Sequence, residues 1–283
     1  MPLIRNTYGK GRVRIMRVKR DAARHEVREL SVQAMLSGAF EASYTVGDNA
    51  SVIATDTVKN IVNIVARDHV GAENEDYCRA LAQYFLSHYP HVAQVDITAS
   101  ETRWARIEIG GAPHDHAFTL DCNGKPFVTL SATRDGSALT SGITGFTFLK
   151  TTESGWENYW FDEVTTLKPT ADRLFATAMD ASWLWAATPS SYAAANAKVI
   201  ETVLEVFATT YSPGVQHTMY QIGEAVLAAV PEIAEISMAC PNKHYLPIDL
   251  SPFGRSSGGQ VFTPTDEPHG QIECTVARTS AQT

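Results

Sequence analysis

Hydrophobic residues recur along the chain with two periods, and the change of period locates the first helix. Over 10–19 they alternate with basic residues, which predicts a half-buried strand whose apolar positions are Val13, Ile15 and Val18. Over 51–54 the pattern predicts the end of another strand. Beyond it the spacing lengthens, which predicts a helix over 55–69 with an inward stripe of Val58, Ile61, Val62 and Val65.

The same patterns predict an order of elements that occurs twice. In each half two strands precede two helices, and further strands follow. The first half has strands at 10–19 and 27–36, helices at 55–69 and 74–89, and strands at 92–97, 103–109, 116–120 and 127–133. The second half has strands at 143–150 and 173–185, helices at 190–209 and 215–230, and strands at 235–240 and 271–276. The order indicates an α+β fold of two tandem units, 1–137 and 138–283, each an antiparallel β-sheet with two helices packed on one face.

Apolar stripes also mark the inward faces of the two later helices. For the 190–209 helix the predicted inward residues are Val199, Ile200, Val203, Leu204 and Phe207. For the 215–230 helix they are Met219, Ile222, Val226 and Leu227. No sequence identity between the two halves is visible, so the predicted repeat concerns architecture alone.

Charge and cysteine content narrow the classes of protein to which the chain can belong. A formal charge of −8 argues against a nucleic-acid-binding protein, although a pocket can be locally positive inside an acidic protein. The four cysteines are far apart without a CxxC pair, which predicts neither a disulfide framework nor a zinc site and favours a reducing compartment. No apolar leader, bilayer-length run or C-terminal Ser-Lys-Leu signal is present, so we expect a cytoplasmic protein that does not bind membranes.

Several polar positions are candidates for chemistry, and each has an ordinary structural interpretation. Thr55 and Asp56 can cap the predicted helix with their side chains, or the helix start can offer its free N–H groups to an anion. Lys10 can be a solvated surface lysine or a functional one. The segment containing His114 and His116 places two histidines on one face of a strand, but no third metal ligand is near in sequence.

A second cluster of polar residues lies in the predicted connection over 241–250. Asn242 can donate and accept hydrogen bonds, and His244 can exchange a proton near neutral pH. Lys243 between them adds a positive charge. The cluster is either a functional site or an ordinary polar connection, because loops carry both.

Eight short motifs, in order along nearly the whole chain, resemble the urate oxidase (uricase) family. Any one of them is weak evidence, but eight in register are specific. They are YGK at 8–10, VIATDTVKN at 52–60, PHDHAF at 113–118, LKTTESGW at 149–156, DEVTTLKPTADR at 162–173, VQHTMY at 215–220, PNKHY at 241–245 and VFTPTDEPHG at 261–270.

The resemblance implies a fold, an assembly and a reaction. It implies two tandem T-fold (tunnelling-fold) units per chain and a homotetramer around a central tunnel, with active sites at the subunit interfaces. It also implies oxidation of urate by molecular oxygen and water to 5-hydroxyisourate and hydrogen peroxide, without a metal or an organic cofactor. The histidines at 114 and 116 would then be structural.

Carried over position by position, the resemblance also assigns the site residues. Lys10, Thr55 and His244 form the proton relay. The substrate-binding residues are Thr55, Asp56 through its backbone N–H, Trp156, Arg173, Val215 through its backbone, Gln216 and Asn242. Trp156 stands where the family usually has phenylalanine, and a larger ring still offers a stacking face.

The residue types suit a planar, electron-rich anion that reacts with oxygen directly. Arg173 supplies a bidentate fork, and the Gln216 amide can pair with adjacent donor and acceptor atoms. Lys10 can act as a base only when it is neutral. Two alternatives stay open at this point: a T-fold protein that binds purines without turnover, and a pterin-type T-fold enzyme. The second would need a glutamate anchor and often a Cys/His zinc set, which the sequence does not offer.

Overall fold

The computed structural model describes residues 1–279 and divides the chain into two compact units, Met1–Gly142 and the part from Ile143 onward. The last four residues, 280–283, include part of the segment used for the expectation about a peroxisomal signal, and they lie outside the described residues. The boundary predicted at residue 137 falls at the first residue of a strand that crosses from one unit into the next, Ser137–Lys150.

The first unit is an antiparallel sheet with helices packed on it. Its strands β1, β2, β3 and β6 follow one another across the sheet, with the start of β7 beside β6, while β4 and β5 form a separate two-stranded sheet. The elements are β1 (Tyr8–Lys19), β2 (Glu26–Gly38), α1 (Glu41–Thr45), α2 (Thr55–Asp68), α3 (Asn74–His88), β3 (Val92–Thr102), β4 (Trp104–Ile109), β5 (Ala112–Leu120), β6 (Lys125–Thr133) and β7 (Ser137–Lys150).

Helix α2 confirms its predicted inward stripe, but the residues before it are not a strand. The buried residues of α2 are Val58, Ile61, Val62, Val65 and Ala66, and the helix packs against β1. Residues 51–54 form a turn and an irregular segment, so the strand end predicted there is wrong. The five-residue helix α1 was not predicted, because it buries no residue and therefore leaves no periodic stripe.

Arginine rather than valine completes the inward face of β1. Val13 and Ile15 are buried as predicted, whereas the third inward position is Arg17, which is only 3% exposed. Its guanidinium donates to the carbonyls of His69 at 3.0 Å and Ala72 at 2.9 Å, just beyond the end of α2. Burial lowers the pKa of Arg17, and a further bond from Nη2 to Oδ1 of Asn74 leaves Nε as a buried donor without an acceptor among the described residues. The side chain therefore binds carbonyls that the end of α2 leaves unpaired.

The second unit repeats the order strand, strand, helix, helix, strand, strand. Its sheet runs β7, β8, β9, β10, and the last two pairs are antiparallel. After β7 the elements are β8 (Phe175–Trp185), α4 (Tyr192–Thr209), α5 (Val215–Ala229), β9 (Ile233–Pro247), a 3₁₀ turn (Ser251–Phe253) and β10 (Phe262–Ala277). The predicted α+β architecture is therefore confirmed. Among residues 1–279, no helix has both the length and the apolar content needed to cross a bilayer.

The inward faces of the later helices agree with prediction except at two residues of α4. In α5, Met219, Ile222, Val226 and Leu227 are all buried. In α4, Val199, Val203 and Phe207 are buried, but Ile200 is only partly buried and Leu204 is 38% exposed, so the predicted place of these two residues in the core is wrong.

Strand β9 is longer than predicted and includes most of the segment expected to be a connection. It continues through Pro241 to Pro247, so Asn242 and His244 are strand residues. The predicted strand ends at Cys240, and an internal proline such as Pro241 normally argues against a central strand. Pro241 is tolerated because it falls at an interruption in the β8 pairing, between the Thr177–Asn242 and Asp180–Ala239 partners.

Hydrogen bonds show that the two units repeat in detail. Arg134, directly after β6, donates to the carbonyls of Leu86, Tyr89 and Val92 around the end of α3. Arg278, directly after β10, donates to those of Leu227, Val230 and Ile233 around the end of α5. Each set of carbonyls has the same spacing relative to its helix end. Each unit therefore uses an arginine at an equivalent position to bind the carbonyls at the end of its second long helix.

Candidate active site

In the first unit, a tyrosine ties strand β1 to the start of α2. The hydroxyl of Tyr8 accepts a hydrogen bond from the backbone N–H of Ile53 at 2.7 Å. Lys10 and Thr55 each follow one of these two residues by two positions, and Lys10 contributes to the lowered pKa of Asp56, after the larger effect of Lys59. The structure therefore brings Lys10, Thr55 and Asp56 into one region of this unit.

Local backbone geometry fixes where Lys10 lies. A β-bulge separates Lys10 from Val13 in the pairing with β2, and Arg12 within it has φ 54°. Gly9 just before Lys10 runs against the neighbouring strand, where a Cβ atom would lie 1.9 Å from the carbonyl oxygen of Ala34. Glycine is therefore required beside Lys10, and the bulge interrupts the pairing directly after Lys10 until it resumes at Val13.

The start of α2 is not capped by a side chain, so the capping interpretation of Thr55 and Asp56 is wrong. Ala54 occupies the N-cap position, and no side chain in the described part of the chain bonds to the first turn as a cap. The Asp56 carboxylate instead pairs with Lys59 and accepts from the Asn60 amide at 3.3 Å. The first-turn N–H groups face an exposed surface, which is the arrangement that binds anions.

In the second unit, the ends of the segment between β7 and β8 are joined so that Trp156 and Arg173 meet. Trp156 and Thr170 exchange backbone hydrogen bonds of 2.7 and 3.0 Å, and the N–H of Arg173 donates to the carbonyl of Ser154 at 2.7 Å. The guanidinium carbon of Arg173 consequently lies 5.8 Å from the centre of the Trp156 ring. The predicted strand over 173–185 starts at Phe175, so Arg173 precedes it.

Arg173 is a partly buried cation without an internal counter-charge. No carboxylate among residues 1–279 lies within salt-bridge distance of its guanidinium, and its Nε atom is buried without a hydrogen-bond acceptor there. Burial lowers the pKa of Arg173, which expresses the cost of keeping the charge away from water. An anionic ligand with two adjacent acceptor atoms would offset that cost.

The start of α5 lies against the Trp156 ring. A Cβ atom on Gly214, the N-cap residue, would lie 2.6 Å from Cζ3 of Trp156 and 3.4 Å from Oε1 of Gln216. No side chain of the described residues caps this helix, so the N–H groups that begin at Val215 are not claimed by one. Trp156, Arg173, Val215 and Gln216 thus lie close together in this unit.

Sequence reasoning missed the residues that hold this group together. Tyr211 donates to the carbonyl of Ala171 at 3.0 Å, and a Cβ atom on Gly155 would lie 2.3 Å from the same hydroxyl. Gly155 also donates to the carbonyl of Ser212 at 2.8 Å. Only Gly155 and Gly214 are signals of this packing in the sequence, because glycine lets another group approach the backbone closely and larger residues do not.

Asn242 and His244 lie two residues apart on β9 and so share a face of the strand. Asn242 is paired with Thr177 on one side and Gly270 on the other, while His244 is paired with Thr265, whose hydroxyl donates to the His244 carbonyl at 3.2 Å. Between these pairs the β9–β10 register shifts, and Lys243 binds Asp266 of the irregular segment at 2.9 Å. No described contact joins Asn242 or His244 to Trp156.

The histidines of β5 have ordinary structural neighbours. The ring centres of His114 and His116 are 4.5 Å apart, and Nδ1 of His114 accepts from the backbone N–H of His116 at 3.3 Å. Arg106 donates to the carbonyls of His114 and Asp115. Within residues 1–279, no group of three or more histidine, cysteine, aspartate or glutamate side chains is arranged to hold a metal ion.

Comparison with known proteins identifies what the chain is similar to. The uricase family model matches residues 6–131 and 139–273. A uricase of Arthrobacter globiformis is 40% identical over 96% of this chain and 89% of its own length, and one of Dictyostelium discoideum is 36% identical over 99% of both. The crystal structure of the Arthrobacter globiformis uricase superposes with a TM-score of 0.93 at 39% identity, covering 100% of this chain and 97% of that one.

Proposed function

The chain belongs to the uricase family and oxidises urate, and we propose that it does so without a metal or organic cofactor, in a site that two copies of the chain share. The reaction converts urate, oxygen and water to 5-hydroxyisourate and hydrogen peroxide. The observation that best supports the proposed site is the unpaired, partly buried guanidinium of Arg173 beside a Trp156 ring and an uncapped helix start. A flat anion fits all three.

The second unit supplies the groups that would hold urate. The Trp156 ring would stack on the purine, and Arg173 would donate two parallel hydrogen bonds to adjacent acceptor atoms on its edge. The amide of Gln216 and the backbone N–H of Val215 would bind a further edge. These contacts hold the molecule in one plane and favour its ionised form, from which an electron can pass to oxygen.

The first unit and β9 supply the groups that would move protons. Lys10 would accept a proton through Thr55, and His244 would exchange it with water, while the Asp56 N–H would bind the substrate. Urate then gives two electrons to oxygen, which leaves as hydrogen peroxide after taking up two protons. Water adds to the oxidised purine at C5, near Asn242, and loses a proton, so the atoms balance.

Exposed apolar side chains support assembly into the homotetramer that we propose. In the segment between β7 and β8, Trp160 is 86%, Phe161 63% and Val164 79% exposed. Such a concentration of large apolar surface is normally covered by another chain. In this assembly Lys10, Thr55 and Asp56 come from one copy, while the Trp156 group comes from its neighbour.

A cytoplasmic location is also part of the proposal. It is supported by the cysteines, which are all unpaired in the structure, as a reducing compartment would keep them.

We expect the chelator-treated protein in metal-free buffer to consume urate under air and to release one hydrogen peroxide per urate. Urate absorbance and peroxide are followed in the same sample, with an oxygen-free sample as the control. Restoration of activity only by an added metal would overturn the cofactor-free proposal. Urate loss without peroxide would indicate a different reaction, and binding without loss would indicate a purine-binding protein.

Mixing two inactive variants tests whether the site is shared. We expect Lys10→Met and Arg173→Ala chains, each inactive alone, to recover about a quarter of the wild-type activity when refolded together in equal amounts, because a site is intact only when each variant contributes its unmutated half. The control is Lys10→Met co-refolded with a Lys10→Met, Arg173→Ala double variant, which can form no intact site. If the mixture stays as inactive as this control, the two halves belong to one chain.

A further inference from the structure

Trp156 belongs to a short stack of aromatic rings whose middle member is Tyr159. The ring centres of Trp156 and Tyr159 are 5.9 Å apart with an angle of 10° between their planes. Tyr159 and Phe161 continue the stack at 6.4 Å and 24°. The hydroxyl of Tyr159 donates to the carbonyl of Leu167 at 2.5 Å, so the middle ring is held at its far end.

We propose that Tyr159 is a positioning residue that fixes the plane of Trp156 and thereby sets how tightly urate is held. The inference rests on the proposed function, because it takes Trp156 as the ring on which urate stacks. The Tyr159 ring lies nearly parallel to Trp156 and offset from it, which is a favoured arrangement for an aromatic pair and ties the tilt of one ring to that of the other.

Two other neighbours of Trp156 are not aromatic rings. A Cβ atom added to Gly214 would lie 2.6 Å from Cζ3 of Trp156, so the start of α5 approaches the ring closely there. The guanidinium carbon of Arg173 lies over the ring, 5.8 Å from its centre. Neither of these neighbours is a parallel ring, so Tyr159 is the one among these three contacts that resists tilting.

The hydrogen bond to Leu167 explains why tyrosine suits this position. Tyr159 lies in the segment between β7 and β8, where backbone pairing is confined to the two ends, and it is only half-buried. A phenylalanine there would keep the stack but lose its attachment to Leu167, 8 residues further along the chain. The stack and its attachment can therefore be separated by substitution.

We expect Tyr159→Leu to raise the KM for urate by about 2- to 10-fold, the range that an offset aromatic pair contributes, with a smaller change in kcat. Tyr159→Phe and Tyr159→Trp keep a ring and should stay closer to the wild-type KM. Tyr159→Gln, a second non-aromatic variant suited to a half-exposed position, should behave as Tyr159→Leu does. Phe253→Leu is the matched control, since Phe253 is 76% exposed and lies outside the stack, and its KM should stay close to that of the wild type.

A double-mutant cycle with Trp156→Leu decides whether Tyr159 acts through Trp156. If it does, Tyr159→Leu raises KM in the wild-type background and changes it little once Trp156 is absent. Binding of xanthine, a flat purine that lacks the 8-oxo group, should follow the same pattern in calorimetry, independently of turnover. Size-exclusion chromatography and the melting temperature of each variant separate these effects from a loss of assembly.

Equal effects of Tyr159→Leu with and without Trp156 would overturn the proposal, as would an unchanged KM in both the Leu and the Gln variants. A wild-type protein that leaves urate untouched would instead contradict the proposed function. Because that result concerns the parent protein and the cycle concerns its variants, the two failures are distinguishable.

Discussion

Replacing Lys10 by methionine is expected to lower kcat for urate oxidation by about 10²–10⁴-fold, the usual contribution of a positioned general base. Methionine keeps the length of the side chain but cannot take up a proton. The position itself should tolerate the change, because the bulge and Gly9 that place Lys10 depend on backbone geometry. Steady-state rates followed by urate absorbance measure the effect, with the melting temperature as the test of folding.

Lys19→Met is the matched control for this variant. Lys19 ends the same strand, is 40% exposed and pairs with Asp21 at 3.9 Å, away from the start of α2. Its kcat should stay close to that of the wild type. If Lys10→Met raised KM and left kcat unchanged, Lys10 would bind the substrate and another group would be the base.

Replacing Arg173 by lysine is expected to lower kcat/KM for urate by about 10²–10³-fold, although the positive charge is retained. Loss of one partner in a buried, charge-assisted pair costs about 2–5 kcal/mol, and lysine cannot reproduce the planar fork. Measurement of kcat/KM over a range of urate concentrations gives the effect directly. Arg255→Lys, at an exposed position, is the control. An Arg173→Lys enzyme as efficient as the wild type would mean that charge alone suffices there.

Much of the fold could be predicted because hydrophobic period reports which face of an element is buried. Helices α2 and α5 followed their stripes closely, since packing against a sheet demands apolar residues at those spacings. Hydrophobic period does not predict an element that buries no apolar face, or a buried position that a polar residue fills. Helix α1 buries nothing, β9 continues through Pro241 although a proline normally argues against a central strand, and Arg17 fills an apolar position by binding carbonyls.

The order of elements in the internal repeat was predictable from the sequence, but the hydrogen bonds that the two units share were not. Arg134 and Arg278 close equivalent helix ends by bonding to backbone carbonyls. Because a carbonyl is the same in every residue, the partners can differ freely: Tyr89 at one end corresponds to Val230 at the other. The sequence halves could therefore diverge beyond recognition while the hydrogen bonds stayed the same.

For the site, the resemblance identifies the side chains that are expected to touch the substrate. It does not identify the residues that hold those side chains in place. Tyr8 reaches Ile53 across 45 positions, and Tyr211 reaches Ala171 across 40. Contacts over such separations leave no period in the sequence. The interpretation of Asp56 as a cap failed for a related reason: a local propensity cannot show that Lys59 will bind the carboxylate instead.

The uncapped starts of α2 and α5 have a consequence for how this enzyme would respond to random mutation. If Asp56 and Val215 serve through main-chain N–H groups, as we propose, nearly every replacement at these two positions leaves the donor in place. A saturation survey would score the exposed Asp56 as permissive, and at the buried Val215 it would accept apolar residues of similar size, even though both border the reacting molecule. Only proline, which removes the N–H donor, would reveal that these backbone groups bind the substrate. At Val215 proline would not break the helix, since the first helical position accepts it.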